Sequence, residues 1–356
     1  LATWNQKLKA IELRAVSQLG KVVERIRLKK AMGSVERLRW LANGMGWVVS
    51  TPYRAVLVTK DGAGAKRIRK IDLPRSIHIE DVRAVGNYVM ISGGVIGRQL
   101  VLVDVRNLKV TELKTDWGYM TNATVTGDKR VVAAVRHRNR SKKGAVEELV
   151  FWSVGPEPKI VERRSCKGRS CNIYNWTPGT KHLAYADFQG TIFLETKAGH
   201  TEELKLDEST NRNRTKVLWQ NKAENRLLAA NSSSLAVWDM YGVLRWKWSP
   251  SSGQTIRSAH FEKDDMVLVT TSTKVLRLQK GRLLKTVFNL AAFTGNNKKE
   301  QLLEDAVPLS GGAIAFSVVK IQGTREPTIL MQIQGASRKK GVGVPALQKR
   351  LDKEFH

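Results

Sequence analysis

Between Thr215 and Ser249 four short runs of alternating apolar and polar residues, TKVLWQ, NRLLAAN, SLAVWDM and VLRWKWS, are separated by brief polar or glycine turns. Alternation of this kind marks half-buried strands, and turns this short join strands as antiparallel hairpins. The next stretch repeats the arrangement with TIRSAHF, MVLVTTS, KVLRLQ and LLKTVF, so that the period from Thr215 to Thr255 is forty residues. A four-stranded unit of about forty residues cannot bury both faces of its sheet alone, so repetition predicts a ring of stacked sheets.

The same rhythm is legible over most of the chain. Units begin near Leu38 (RLRWLAN, GWVVSTP, RAVLVTKDG, KRIRKIDL), at Val82 (VRAVG, NYVMISGG, QLVLVDVRN, VTELKT) and near Asn122 (ATVTG, RVVAAVRH, EELVFWSV, KIVERRS). Another follows from Asn172 (NIYNWT, HLAYAD, TIFLET, EELKLD), and the last has LLEDAVPLS, AIAFSVVKIQ and PTILMQIQ with no fourth strand. The expectation is an all-β chain, a single β-propeller of about seven four-stranded blades over residues 34–335. Its missing strand would come from Ser34–Arg39 or Val342–Leu347.

Residues 3–32 carry no turn signal except Gly20 and read as one helix. Leu8, Ile11, Ala15, Leu19, Val22 and Ile26 fall three or four apart and line one stripe, within a basic surround of Lys7, Lys9, Arg14, Lys21, Arg25, Arg27, Lys29 and Lys30. The expectation for residues 1–33 is therefore a basic amphipathic helix. Leu8, Ile11, Leu19, Val22 and Ile26 would form its seam against the propeller wall or a partner protein. Residues 336–356 read as a basic tail, with Arg338, Lys339 and Lys340 at its start and a short helix around Lys349, Arg350 and Lys353.

Two third strands, Leu102-Val103-Asp104-Val105-Arg106 and Ala236-Val237-Trp238-Asp239, resemble the end of a WD repeat, where Asp follows an apolar or Trp position. The resemblance lies in blade rhythm, since one unit alone has a literal Trp-Asp and the Gly-His pair that normally precedes it does not recur from unit to unit. It implies a non-catalytic platform that holds other macromolecules, with no catalytic residues to carry over.

Charge changes the picture. The 356 residues hold 61 Lys+Arg against 32 Asp+Glu, a net charge of +29. That excess repels itself and calls for a polyanionic partner. Its densest run, Arg136-His137-Arg138-Asn139-Arg140-Ser141-Lys142-Lys143, interrupts the third unit and reads as a projecting loop. Arg136, Arg138, Arg140, Lys142 and Lys143 would lie against phosphates, the arginines by bidentate contacts. Arg163, Arg164, Lys167 and Arg169 follow the third unit, and Arg212, Arg214 and Lys216 precede the fifth. Connections between units emerge on the same face as this loop, so these clusters would form one basic surface. Arg67, Arg69 and Lys70 lie along an outer strand and would decorate the rim.

Trp219, Trp238, Trp246 and Trp248 sit inside strands and are expected to pack between blades; Trp117 and Tyr119, beside Gly118, are the better candidates for base stacking. The six histidines stand singly, without metal-ligand spacing, and no nucleophile elbow or glycine-rich phosphate loop occurs. No catalysis, cofactor or metal is expected. Cys166 and Cys171 lack the further ligands of a zinc site. They could close a small disulfide or remain thiols, the state that a reducing cytoplasm favours.

No apolar run is long enough to span a bilayer and no secretory leader is evident. The functional expectation is an intracellular scaffold subunit of a nucleoprotein complex, in a cytoplasm, nucleoid or organelle, binding RNA or DNA through phosphates and other subunits through the N-terminal segment. The alternative is a scaffold for acidic proteins or an anionic membrane surface, the membrane being the weaker fit.

Overall fold

The computed structural model describes residues 2–333 except for 6–9, 16–20, 28–34, 36, 42–45, 61–65, 75–76, 95–98, 116–118, 139–144, 167–172, 178–181, 188, 197–199, 207–214, 216, 222, 224, 264, 291–300, 309–312 and 321–327. Within these bounds the chain is built of antiparallel meanders, each strand pairing with the next. Six four-stranded sheets cover residues 37–71, 79–112, 119–165, 173–204, 217–248 and 256–289. A three-stranded sheet stands at either end, over residues 2–27 and 301–333. The first strands of successive sheets lie side by side, which is how blades meet around a propeller axis. The fold is an all-β propeller of repeated four-stranded sheets.

The core lies between sheets. In the strand Arg226–Ala230, Leu227 and Ala229 face the 173–204 sheet, where they meet Ala184, Ile192 and Leu194. Leu228 and Ala230 point the opposite way, into a cluster with Val267, Val269, Leu276 and Leu278 of the 256–289 sheet. The same division recurs in the strand Val131–Arg138: Val131, Ala133 and Val135 pack on Met90, Leu100 and Leu102. Val132 and Ala134 pack on Trp176, Tyr185 and Phe193. Side chains alternate across a strand, so a strand covered on both faces must be apolar at every position. That is why the second and third strands read as continuous Val, Leu and Ala, while the outer ones keep their alternation.

The N-terminal helix is not formed. Ala2–Asn5, Ala10–Ala15 and Lys21–Arg27 are strands of one sheet, with Ile11 opposite Ile26 and Glu12 opposite Arg25. Ile26 is buried between exposed Arg25 and Arg27, the period of a strand. A spacing of four is even and fits a strand as well as a helix, which is how the stripe misleads. Of the expected seam, Ile11, Val22 and Ile26 lie in these strands, and Leu8 and Leu19 fall outside the described residues. Arg37–Trp40 is the first strand of its own sheet, so it is not lent to residues 301–333; residues 342–347 lie outside the described residues, as does the tail from Arg338 onward.

The two WD-like aspartates bind turns together. Asp239 Oδ1 accepts the backbone N–H groups of Tyr241 (2.9 Å) and Val243 (3.0 Å), and Oδ2 accepts from Arg245 Nη2 at 2.7 Å. Asp104 accepts from the backbone and the guanidinium of Arg106 in the same way. Asp187, which ends a second strand, also accepts two backbone N–H groups, those of Gln189 and Thr191, at 2.9 Å each. Burial pushes the Asp187 carboxyl above the usual range despite those bonds. At Asp239 burial acts in the same direction, but the turn N–H groups and Arg245 outweigh it and hold the carboxyl below its ordinary value.

Arg69 does not simply decorate the rim. Its guanidinium donates to the carbonyls of Val105 (2.7 Å) and Arg106 (3.1 Å) in the next sheet, joining the two. Trp238 is buried on one side of its sheet and Trp246 on the other, where Trp248 packs against the same cluster, as expected, but Trp219 is 37% exposed on a first strand, tilted against His260 at 5.4 Å. Cys166 is disulfide-bonded, and Cys171 is the only other cysteine of the chain. Free thiols are thus not what the fold contains, and the inference from them to a reducing compartment falls away.

The opposite environments of the two aspartates give opposite expectations. Asp239→Asn removes the charge that Arg245 and the turn share, and should lower stability at neutral pH by about 1–2 kcal/mol. That contribution is present above the unfolded carboxylate pKa and is lost as pH falls through the depressed folded value. Asp187→Asn keeps an acceptor for both N–H groups and removes a penalised charge, so stability should hold within about 0.5 kcal/mol or rise. Urea unfolding of both variants at neutral pH checks the pair; equal losses would contradict the assignment.

Candidate nucleic-acid interface

In each meander the turn joining the second and third strands emerges at the end from which the chain leaves for the next sheet. In the 119–165 sheet this end is marked by two pairings, Arg138 opposite Ala145 and Glu148 opposite Ser165. The hairpin is longer than the sequence suggests. Arg136 and Arg138 belong to the strand Val131–Arg138, with Arg136 flanked in register by Glu147 on one side and Tyr119 on the other. The segment expected to project is therefore shortened to the residues after Arg138. Arg140, Lys142 and Lys143 lie outside the described residues, as do Lys167, Arg169, Arg212, Arg214, Lys216 and Trp117.

Arg163 and Arg164 are described, and neither faces outward as a bare cation. Arg163 Nη1 bonds Glu148 across the hairpin at 2.5 Å. Arg164 bonds Glu162 on its own strand and Glu195 of the following sheet, the latter at 3.0 Å. Arg130 reaches Glu162 from the other side at 2.6 Å and also holds Asp128. Both guanidinium groups lie over the Phe151 ring, Arg130 at 4.8 Å and Arg164 at 4.7 Å from its centre. The Arg164 guanidinium, followed by that of Arg130, holds the Glu162 carboxyl below its ordinary value against the effect of burial. Beside this chain of charges a cavity of about 270 Å³ opens between the two sheets, with Arg164, Glu195 and Tyr185 in its wall. The chain from Arg130 through Glu162 and Arg164 to Glu195 is a clamp between neighbouring sheets, while Arg163 pairs within its own sheet. Arg163 and Arg164 therefore each have a carboxylate partner already.

The same end of the propeller carries an aromatic group that sequence reasoning passed over. Thr51–Arg54 is the turn between the second and third strands of the 37–71 sheet. Thr51 Oγ1 accepts the N–H groups of Tyr53 (3.3 Å) and Arg54 (3.0 Å), and the carbonyl of Pro52 accepts from Ile79 N at 2.6 Å. The turn so fixed leaves Tyr53 66% exposed, edge-on to His78 at 5.1 Å. An exposed ring braced by an imidazole can take a planar group on its face. The signal in the sequence was an aromatic residue in a Pro-containing turn beside Arg54. Tyr119 lies at the same end, as the first residue of the strand Tyr119–Val125. Among the described residues no three His, Cys, Asp or Glu side chains stand together as a metal site, and no helix is long and apolar enough to cross a membrane.

No protein-family model matches the chain, and no curated protein sequence matches it significantly. Solved structures match at the level of the fold. The dihydro-heme d1 dehydrogenase NirN, in complex with DHE, superposes with a TM-score of 0.62 at 11% identity, over 94% of this chain and 73% of that one. Sqt1 from Chaetomium thermophilum gives 0.61 at 13% identity, over 92% and 89% of the two chains. The Dos1 propeller gives 0.56 at 12% identity, over 75% and 72%. Identities this low speak for backbone architecture alone, and the architecture they share with this chain is the β-propeller.

Proposed function

We propose that this chain is a non-catalytic propeller platform that holds RNA or DNA by its phosphates, as one subunit of a nucleoprotein assembly. Propellers serve many chemistries, and one of the similar structures is a dehydrogenase, so the fold does not carry this reading. The net charge of +29 carries it. Internal ion pairs account for Arg130, Arg163 and Arg164, yet nearly two basic residues stand for each acidic one over the whole chain. The connections at the end marked by Arg138 and Ser165 hold the densest of the remainder: Arg140, Lys142 and Lys143, then Lys167 and Arg169, then Arg212 and Arg214. With Arg136 and Arg138 leading into the loop and Tyr53 exposed at the same end, phosphate contact and ring stacking are available together. Arg338, Lys339 and Lys340 add a second basic segment near the C-terminal end. No RNA-recognition, KH or zinc-finger motif accompanies this set, which favours recognition by backbone and shape.

On this reading, changing Arg140, Lys142 and Lys143 to Ser should leave the melting temperature unchanged, as expected of residues that serve the ligand and not the core. Affinity for a mixed-sequence single- or double-stranded oligonucleotide should fall about tenfold or more near 100 mM salt. The slope of log K against log salt should flatten by about two to three, one counterion-release term per lost phosphate contact. Arg164→Ala should do the reverse, costing about 1–2 kcal/mol of stability by opening the clamp while leaving the salt slope unaltered. Filter binding across a salt series and thermal melts separate the two. Undiminished binding by the triple variant would remove the loop from the interface.

A further inference from the structure

The chain leaves a second surface, at the opposite end of the outer strands, that the polyanion reading does not use. Nine large apolar side chains are well exposed among the described residues, and five of them, Tyr241, Val243, Leu244, Leu283 and Leu284, belong to the last hairpins of two consecutive sheets. Tyr241 and Val243 lie in the last turn of the 217–248 sheet, and Leu244 begins its outer strand. Leu283 and Leu284 begin the outer strand Arg282–Asn289 of the next sheet. The two groups stand on neighbouring outer strands, and the Lys280–Gly281 turn is laid on the preceding one at Trp246 and Lys247. A Cβ at Gly281 would stand 3.2 Å from the carbonyl of Lys247 and 3.4 Å from the Trp246 side chain. The positive φ of Gly281, 77°, permits that approach.

Exposed large apolar side chains gathered on neighbouring strands mark an interaction site more often than a chance cluster. Charge says what fits it. Lys280, Arg282 and Lys285 stand exposed around Leu283 and Leu284. The nearest carboxylate on the adjoining turn, Asp239, is already committed to Arg245 and two backbone N–H groups. Glu202 borders the other side, against Gly242, so the cationic end is the Leu283 end. The edges are poor templates for an added strand: pairing slips between Arg277 and Leu278, leaving Leu284 in a bulge, and again between Val237 and Trp238, leaving Arg245 in another. Bulges twist an edge away from strand addition.

We infer that this rim surface docks an amphipathic acidic segment of another protein, whose apolar side chains cover Leu244, Leu283 and Leu284 and whose carboxylates meet Lys280, Arg282 and Lys285. The site is independent of the nucleic-acid face. It would let the propeller hold a protein on its rim and a polyanion on the far end together.

A displayed library of random twelve-residue peptides, selected on the full chain, supplies an unbiased probe. It is counter-selected on the variant Leu244→Ser/Leu283→Ser/Leu284→Ser. These side chains are exposed, so the variant should keep its melting temperature within about 2 °C. Enriched peptides should combine Leu, Ile or Phe with Asp or Glu. Their affinity, read by fluorescence anisotropy, should fall at least tenfold both in this variant and in Lys280→Ser/Arg282→Ser/Lys285→Ser, while the apolar variant keeps its oligonucleotide affinity. Three results would overturn the inference: no variant-dependent peptides, enriched peptides that are neutral or basic, or variant-dependent binding confined to phosphatidylserine vesicles. The last would assign the surface to lipid.

Discussion

A sheet whose middle strands are apolar on both faces cannot stand alone, and that constraint organises this molecule. Leu227 and Leu228 are adjacent in sequence, fully buried, and belong to different interfaces. Each sheet therefore exists by virtue of the one before and the one after. A buried leucine of this kind is worth about 2–5 kcal/mol against truncation to alanine, so the stack draws most of its stability from its interfaces. Turns and outer strands carry less of it, apart from groups such as Asp239, Arg69 and Arg164, and the exposed apolar groups collect there.

The arginines divide by the same logic. Where a guanidinium reaches across an interface it has acquired a partner: Arg69 the carbonyls of the next sheet, Arg164 a glutamate on each side of the boundary. These groups serve cohesion. The basic residues of the proposed interface instead fall, in sequence, between strands, or at a strand's end in the case of Arg136 and Arg138.

The four-stranded units were legible because their signals are local. Alternation within a strand, polar turns between strands and the forty-residue period from Thr215 to Thr255 all lie within one unit. The N-terminal segment was not, because Ile11, Ala15, Val22 and Ile26 are compatible with both periods, and only pairing with a neighbouring strand decides between them. The roles of Arg163 and Arg164 were hidden for a related reason. Their partners Glu148 and Glu195 lie on other strands, brought near by a register that the sequence does not display. Arg136 and Arg138 looked like loop because charge reads as solvent, whereas a hairpin can continue through charged residues when opposite signs face each other, as Arg136 and Glu147 do. Tyr53 went unremarked because one aromatic residue in a turn carries no pattern.

The central claim is that the positive charge exists to meet nucleic acid, and purification tests it most directly. The full chain, prepared at low salt, should carry nucleic acid through a size-exclusion column, with an elevated ratio of absorbance at 260 nm to that at 280 nm. Ribonuclease or deoxyribonuclease, whichever matches the ligand, should return the ratio to that of protein alone, and high salt should release the same material. A chain that elutes free of nucleic acid at low salt, and binds neither RNA nor DNA when they are added back, would contradict the account.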